Sequence, residues 1–350
     1  MDTVLLQIDL ALILEKLILI AIVVSISLVV AMYATYGERK IAAALQDRRG
    51  PSRAGPMGIL QPLADGMKLF FKEEIIPRYS SKALFVIGPG LAMLTAIMTS
   101  AVIPWGEDMV LFGKNISLQI ADVNIGILYV FGVVSLGVYG IMIGSWASNN
   151  KFSLMGGLRA ASQIISYELA LGISLIALLM LTGTLSLKEI VEQQQANNWW
   201  NVVYQPLGFL IFLICSFAEC NRTPFDLAEA ENELVGGYHV EYSSMKLGFY
   251  LFAEYINMFV SSVIMATLFF GGYDMPFVDE SAFSTNVGAC ISIAALFLKT
   301  FAFMFFFIWV RWTIPRFRYD QLMHLGWRIL IPLALVNMLI TGATILFFSK

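Results

Sequence analysis

Between Glu219 and Glu233 the chain places five acids and one arginine within fifteen residues: Glu219, Arg222, Asp226, Glu229, Glu231 and Glu233. Carboxylates this crowded raise one another's pKa values, so some keep a proton near neutral pH and can pass it on. The segment Thr223-Pro224-Phe225-Asp226 reads as a helix start. Thr223 is the expected N-cap, Pro224 the first helical residue, and Asp226 the residue that reaches back to the cap. On such a helix Asp226, Glu229 and Glu233 share one face, and Glu231 points about 200° away from Glu229. Acids also complement the positive end of a helix dipole. A solvated surface helix is the plainer alternative. Arg222 beside the cluster, and Glu219 in an apolar fringe, argue against it.

More acids lie in apolar surroundings. Glu168 follows Ser166-Tyr167, and Glu254 precedes Tyr255 and Asn257. A charge at mid-membrane costs roughly 2.5–3.5 kcal/mol on insertion scales, so such residues face a bundle interior or a water path. Glu168 and Glu254 sit about eight residues into their spans, or about 12 Å at the helical rise. With Glu219 they are expected to meet in one half of the membrane and continue the acidic run inward. Lys299 is the basic residue nearest mid-membrane and a candidate counter-charge. Arg311 and Arg316, in Arg311-Trp312-Thr313-Ile314-Pro315-Arg316-Phe317-Arg318-Tyr319-Asp320, are placed to balance the acidic run. Positive-inside anchoring with an aromatic belt is the plainer reading of that basic stretch.

The elements that must position these residues are membrane helices. Hydrophobic residues make up 58% of the chain and charged residues 13%, with mean hydropathy +0.76, whereas soluble domains carry about 25% charged residues. The expected fold is an all-α integral membrane protein, a single polytopic domain over 1–350. Eight spans are expected, near 14–36, 83–104, 124–146, 164–183, 206–220, 247–270, 287–311 and 328–348. The long cytoplasmic loops then fall near 37–82, 147–163, 221–246 and 312–327. Seventeen Lys and Arg residues lie on the side of loop one and four on the other, with Lys299 inside a span. The positive-inside rule puts loops one, three, five and seven in the cytoplasm and both termini on the periplasmic side. The first apolar stretch has acidic flanks, Asp2 and Asp9, and reads as an uncleaved span. In loop one, Gly50-Pro51, Gly55-Pro56 and Gly58 form turns. After Pro62, Leu63, Met67, Phe70 and Phe71 line one face of a helix, with Asp65, Lys68 and Lys72 on another. That pattern suits a helix on the membrane surface, as an anchor or as a wall over a site opening to the bilayer.

Several chemistries lack their residues. His239 and His324 are the only histidines and neither has a helical partner in a span, so bis-histidine haem ligation is excluded. Cys215, Cys220 and Cys290 show no CxxC spacing, and no iron–sulfur, metal or disulfide framework follows from them. There is no GxxxxGK[ST] and no GxGxxG opening a βα unit. No redox cofactor is expected in this chain and no nucleic-acid partner is implied.

Taken in order, these motifs resemble the H-type membrane chains of bacterial NADH-quinone oxidoreductase, the family of subunit 1 of mitochondrial complex I. The carriers are Glu38-Arg39-Lys40, Gly50-Pro51, Leu60-Gln61-Pro62-Leu63-Ala64-Asp65, Gly157-Leu158-Arg159-Ala160-Ala161-Ser162-Gln163 and Ser166-Tyr167-Glu168. They continue with Ala218-Glu219 to Glu233-Leu234-Val235, Glu241-Tyr242, Ala253-Glu254-Tyr255 and Pro315-Arg316-Phe317-Arg318-Tyr319-Asp320-Gln321-Leu322. The stretches 184–205 and 272–286 carry no such motif.

The resemblance implies a subunit at the heel of an L-shaped complex in the bacterial inner membrane. It implies a tunnel by which a lipid quinone such as ubiquinone leaves the bilayer. Glu38, Arg39, Asp65, Phe225, Arg311 and Arg316 would line that tunnel or its mouth. Arg222, Asp226, Glu229, Glu231 and Glu233 would form a coupling loop beside it. Glu168, Glu219, Glu254 and Lys299 would belong to a proton path. Quinone is the implied substrate. FMN and iron–sulfur clusters would sit in partner subunits, and the partners would be hydrophilic quinone-site subunits, small membrane subunits and membrane lipids. Span three holds no acid, so a relay through it needs water or another residue. The membrane subunit of a related hydrogenase and a stand-alone cation transporter remain as alternatives. The latter leaves the turn-rich loop one unexplained.

Overall fold

The computed structural model describes residues 10–111, 113–275 and 285–348. Asp2, Asp9 and Lys350 fall outside them, as does most of the stretch 272–286. The described chain is an antiparallel bundle of helices with one small β-hairpin. α1 spans Leu10–Leu45, α2 Gln61–Phe71 and α3 Lys82–Thr99. The hairpin strands β1 (Met109–Leu111) and β2 (Lys114–Ile116) pair antiparallel. α4 (Gly126–Ala147), α5 (Lys151–Thr182), α6 (Leu187–Asn197), α7 (Asn201–Tyr204), α8 (Pro206–Glu219) and α9 (Glu231–Leu234) follow. α10 is Ser244–Phe269 and α11 Thr285–Thr313. α12 (Tyr319–His324) runs through a π-helical turn at Leu325–Leu330 into α13 (Ile331–Phe348).

Among the described residues seven helices are long and apolar enough to cross a membrane. They are α1, α3, α4, α5, α10, α11 and the joined α12–α13. α8 is apolar but has 14 residues, about 21 Å of helix. α7 and a buried amide network adjoin its N-terminal end. Gln205 donates to Thr341 at 2.7 Å and accepts from Asn337 at 3.0 Å. Gln194 accepts from the backbone N–H groups of Asn201 and Gly271 at 3.1 and 3.0 Å. The all-α membrane class is as expected, and the fifth expected span, 206–220, falls on the short α8 and outside the seven helices long enough to cross.

Three expected boundaries move, besides the loop expected at 312–327, which shortens to 314–318 because the last span already begins at Tyr319. α1 continues to Leu45, so Glu38 and Arg39 lie on its last turns and not in a loop. α5 starts at Lys151 and not near 164, which reduces the expected loop 147–163 to three residues. Its start is set by Asn150, whose side chain accepts from Phe152 N at 2.9 Å, a standard N-cap bond. Its end is Gly183, left-handed at φ 68°, a conformation glycine adopts without steric cost. The third change is in the acidic run. No helix starts at Thr223. Phe225 N donates to Arg222 O at 2.8 Å and closes a turn instead, and the short helix α9 begins only at Glu231.

Small residues bring the spans together. A Cβ on Gly88 would stand 2.7 Å from the Gly144 Cα, so α3 and α4 touch backbone to backbone there, as small-residue crossings in membranes do. α10 lies at the centre and is the most buried of the seven long helices. One end of the bundle gathers Arg39, Arg159, Arg222, Arg311 and Arg316 with the acidic run. It is called the basic end below.

Candidate functional site

At the basic end, Glu38 on the last turns of α1 meets three partners. Arg311 from α11 pairs with it at 2.7 Å and Arg222 from the acidic run at 3.1 Å. The Tyr255 hydroxyl of α10 donates to it at 2.7 Å. The Arg222 guanidinium also lies over the Tyr255 ring, 4.1 Å from its centroid. Arg222 is 3% exposed, so its charge is answered inside the protein. Its Nε and Nη2 have no hydrogen-bond partner among the described atoms.

Beside this cluster lies a cavity of about 500 Å³ between α1, α2, α10 and the end of α11. Its lining includes Glu38, Arg39, Asp65, Phe252, Tyr255 and Trp312. Arg39 and Asp65 form an ion pair at 2.6 Å, and Gln61 donates to Asp65 at 3.1 Å. α2 therefore turns Asp65, Lys68 and Lys72 toward the cavity, while Leu63, Met67, Phe70 and Phe71 stay exposed on its other face. This is the amphipathic helix expected from the sequence. Ser244 Oγ donates to Leu69 O at 3.1 Å, and Lys246 pairs with Glu74, which ties α2 and its following loop to α10.

The acidic run does not present one shared face. Asp226 pairs with Arg316 at 2.7 Å, Glu233 with Arg159 at 2.6 Å, and Glu229 lies 3.6 Å from His239. The expected capping role of Asp226 is replaced by that ion pair. The Glu231 side chain lies outside the described residues. Phe225 is buried, edge-on to Tyr167 at 5.2 Å and beside Phe317 at 5.5 Å. Arg316 and Phe225 therefore lie together, but on the α5 and α12 side of the run, whereas Glu38, Arg39 and Asp65 line the large cavity and Arg311 reaches it only through its pair with Glu38.

Glu229 lies near enough to Glu254 of α10 for that carboxylate's charge to act on it. Tyr238 donates to Glu254 at 2.8 Å. Burial, then the charge of Glu254, holds the Glu229 carboxyl well above the ordinary carboxylate range. Burial raises Asp226 as well, while Arg316 draws it back, leaving it at about 6. Tyr238 is pushed far up by burial and by Glu254, and stays a phenol.

From Glu254 inward, two small cavities join the acids. The first, about 40 Å³, is lined by Glu254, Asn257, Tyr238, Tyr250, Thr95 and Glu219 among others. It is polar and roomy enough for water. The second, about 30 Å³, has Glu219 and Glu168 as its carboxylates, among apolar residues of α4, α5 and α10. Glu168 is hydrogen-bonded by Ser135 of α4, so span three supplies a hydroxyl where it lacks an acid. Gln163 donates to Ala218 O at 2.8 Å and to Asn221 at 3.2 Å, which pins the end of α8 to α5.

Lys299 is not brought to these acids. Its ammonium donates to the carbonyls of Phe270 and Gly272 at 2.8 and 2.9 Å, and to that of Asp274. It caps the chain as α10 ends, far along α10 from Glu254. Its mid-span position suggests a counter-charge, but a lysine stem reaches the helix end and its open carbonyls. Sequence reasoning missed Ser135, Tyr238 and His239. The first two are ordinary span and loop residues with no local signal. Tyr255 is visible in the sequence only as part of Ala253-Glu254-Tyr255.

A profile of the NADH dehydrogenase family matches residues 17–342. The H 1 chain of the NADH-quinone oxidoreductase of Cytophaga hutchinsonii is 63% identical over 342 residues, which is 98% of this chain and 100% of that protein. The H chain of the NADH-quinone oxidoreductase of Flavobacterium johnsoniae is 66% identical over 340 residues, 96% of each chain. The H 1 chain from Geobacter metallireducens is 48% identical over 334 residues, 95% of this chain and 96% of that one.

Proposed function

The chain belongs to the NADH dehydrogenase family, alongside the H-type subunits of NADH-quinone oxidoreductase, and from this we propose that it builds the quinone chamber of such a complex and couples quinone chemistry to proton movement. The cavity of about 500 Å³ is the chamber. Its opening beside α2 admits a lipid quinone from the bilayer. The basic end faces the cytoplasm, and both termini lie on the periplasmic side of the bacterial inner membrane. FMN and iron–sulfur clusters are held by hydrophilic partner subunits that dock on the basic end, with small membrane subunits along the spans.

One observation carries the reading. Tyr255 lines the chamber and bonds Glu38, whose partner Arg222 acts on the Glu229 carboxyl, as does the charge of Glu254. From Glu254 the two small cavities lead to Glu219 and Glu168. A change of charge at the quinone therefore meets, within a few contacts, the Glu229 carboxyl, which burial and the charge of Glu254 hold well above the ordinary carboxylate range. Asp226, at about 6, titrates close enough to neutral pH to respond. Protons released or taken up there pass inward by Glu254, Glu219 and Glu168, and leave laterally to the neighbouring membrane subunits.

The test is Glu219→Gln in the intact complex. Quinone reductase activity falls by at least about tenfold, the effect of losing one positioned proton carrier, while NADH oxidation with an artificial acceptor at the flavin stays near the parent rate. Equal quinone reductase rates in variant and parent would overturn the proton path. Labelling of this chain by a photoreactive quinone tests the chamber independently.

A further inference from the structure

The last span is not a continuous α-helix. Between α12 and α13 it passes through the π turn at Leu325–Leu330. Such a turn carries one residue more than an α turn and re-aims the side chains around it. Here the turn lies against α5 at Ser166-Tyr167-Glu168. A Cβ on Gly326 would stand 3.4 Å from the Tyr167 ring, so the turn and the ring are in direct contact. The Tyr167 hydroxyl donates to the carbonyl of Leu322 at 3.0 Å, just where the backbone ladder changes pattern. The Trp327 indole N–H donates to the Ser166 hydroxyl at 3.1 Å. That hydroxyl donates in turn to Ser162 O at 2.6 Å.

These two bonds grip α5 on the two residues immediately before Glu168. A rotation of α5 by about 20° moves a carboxylate on its rim by about 2 Å, enough to break a hydrogen bond. The Glu168 carboxylate depends on that setting for its bond with Ser135. From the other side, Phe225 of the acidic run touches the same Tyr167 ring, and Phe317 N donates to Pro224 O at 3.2 Å. The grip therefore stands between the acidic run and Glu168.

We infer that Trp327 is a positioning residue, which through Ser166 and the π turn sets the rotation of α5 that holds Glu168 on Ser135. The inference rests on the proton path proposed above. Trp327 does not touch quinone or carry a proton. It acts on the rate of the coupled step and not on quinone binding.

The experiment uses the assembled complex in membranes, with a short-chain quinone as acceptor and the flavin-side rate as the measure of assembly. Trp327→Phe keeps the ring and removes the N–H. It lowers kcat about fivefold, the worth of one hydrogen bond of about 1 kcal/mol, and leaves KM for quinone unchanged. Ser166→Ala does the same, Ser166→Thr restores most of the rate, and Trp327→Phe with Ser166→Ala is no slower than either alone. Trp309→Phe, on another exposed helix face, keeps the parent kcat. Should Trp327→Phe fail to assemble, the Ser166→Ala and Ser166→Thr pair decides. Parent kcat in Trp327→Phe and Ser166→Ala, with Glu168→Gln impaired, overturns the positioning role and leaves the proton path intact. Parent kcat in Glu168→Gln overturns the proton path and this inference with it.

Discussion

Arg222 and Glu38 are buried together at 3.1 Å, and the physics of such pairs is asymmetric. Forming the pair contributes little net stability, because both charges lose water, but removing one partner strands the other. Glu38→Gln is therefore expected to destabilise the subunit by about 3–5 kcal/mol, read as a lower melting temperature of the purified complex. Glu38→Gln with Arg222→Gln recovers part of the loss. Asp226 gives a pH signature. Its carboxyl rises on folding from 3.8 to about 6 because burial outweighs Arg316. A carboxyl raised in this way favours the folded state below about pH 4, and that advantage is lost as pH rises through about 6. The effect is at most about 3 kcal/mol. Thermal stability measured between about pH 4 and 7 should fall with a slope that Asp226→Asn lacks. The residue types of this cluster are legible in the sequence, and their partners are not. Glu38 and Arg222 are separated by 184 positions, and no local pattern links them.

Among the elements, α2 is the most legible, because a helical period of apolar and charged residues survives without tertiary help. Its exposed Phe70 and Phe71 face away from Asp65 and the chamber. In a bilayer an exposed apolar face of this kind enters the headgroup region, and on the proposed function it would hold the chamber mouth at membrane level. Replacing both phenylalanines by serine should raise KM for a long-chain lipid quinone several-fold and spare the flavin-side rate, which steady-state kinetics in membranes would check. α5 shows only its apolar half to a hydropathy reading. Lys151, Gly156, Gly157 and Arg159 lower the hydropathy of its first turns, yet Gly157 is needed there because Ser145 leaves no room for a Cβ. The helix start expected at Thr223 fails for the opposite reason. A sound capping pattern is outcompeted by the pull of Arg316 on Asp226 and by the packing of Phe225 against Tyr167.

For the whole molecule, the distribution of exposure argues for a place within a larger assembly. The centre is closed around α10, and the opposite end is sealed by amides such as Gln194 and Gln205, whereas the basic end opens to the chamber and the acidic run. If that end docks the hydrophilic subunits, solubilisation in a mild detergent and capture through a tag on this chain should bring down flavin and iron–sulfur proteins in fixed ratio. Capture of this chain alone, from cells that make the whole complex, would contradict the proposed assembly.

Composition by itself determined the membrane class, and length with hydropathy determined most of the spans, because hydrocarbon imposes its thickness and apolarity on each helix separately. Order of motifs carried the family. What only the tertiary structure decided is which charges meet. Lys299 stands in the sequence as a counter-charge to the membrane glutamates, but it caps carbonyls as α10 ends. Ser135, unremarkable in the sequence, bonds Glu168. The acidic run, which reads as one helix with one acidic face, divides its carboxylates among Arg316, His239 and Arg159. Ion pairing acts through space between distant segments, so its outcome depends on how the helices pack and not on the spacing of residues along the chain.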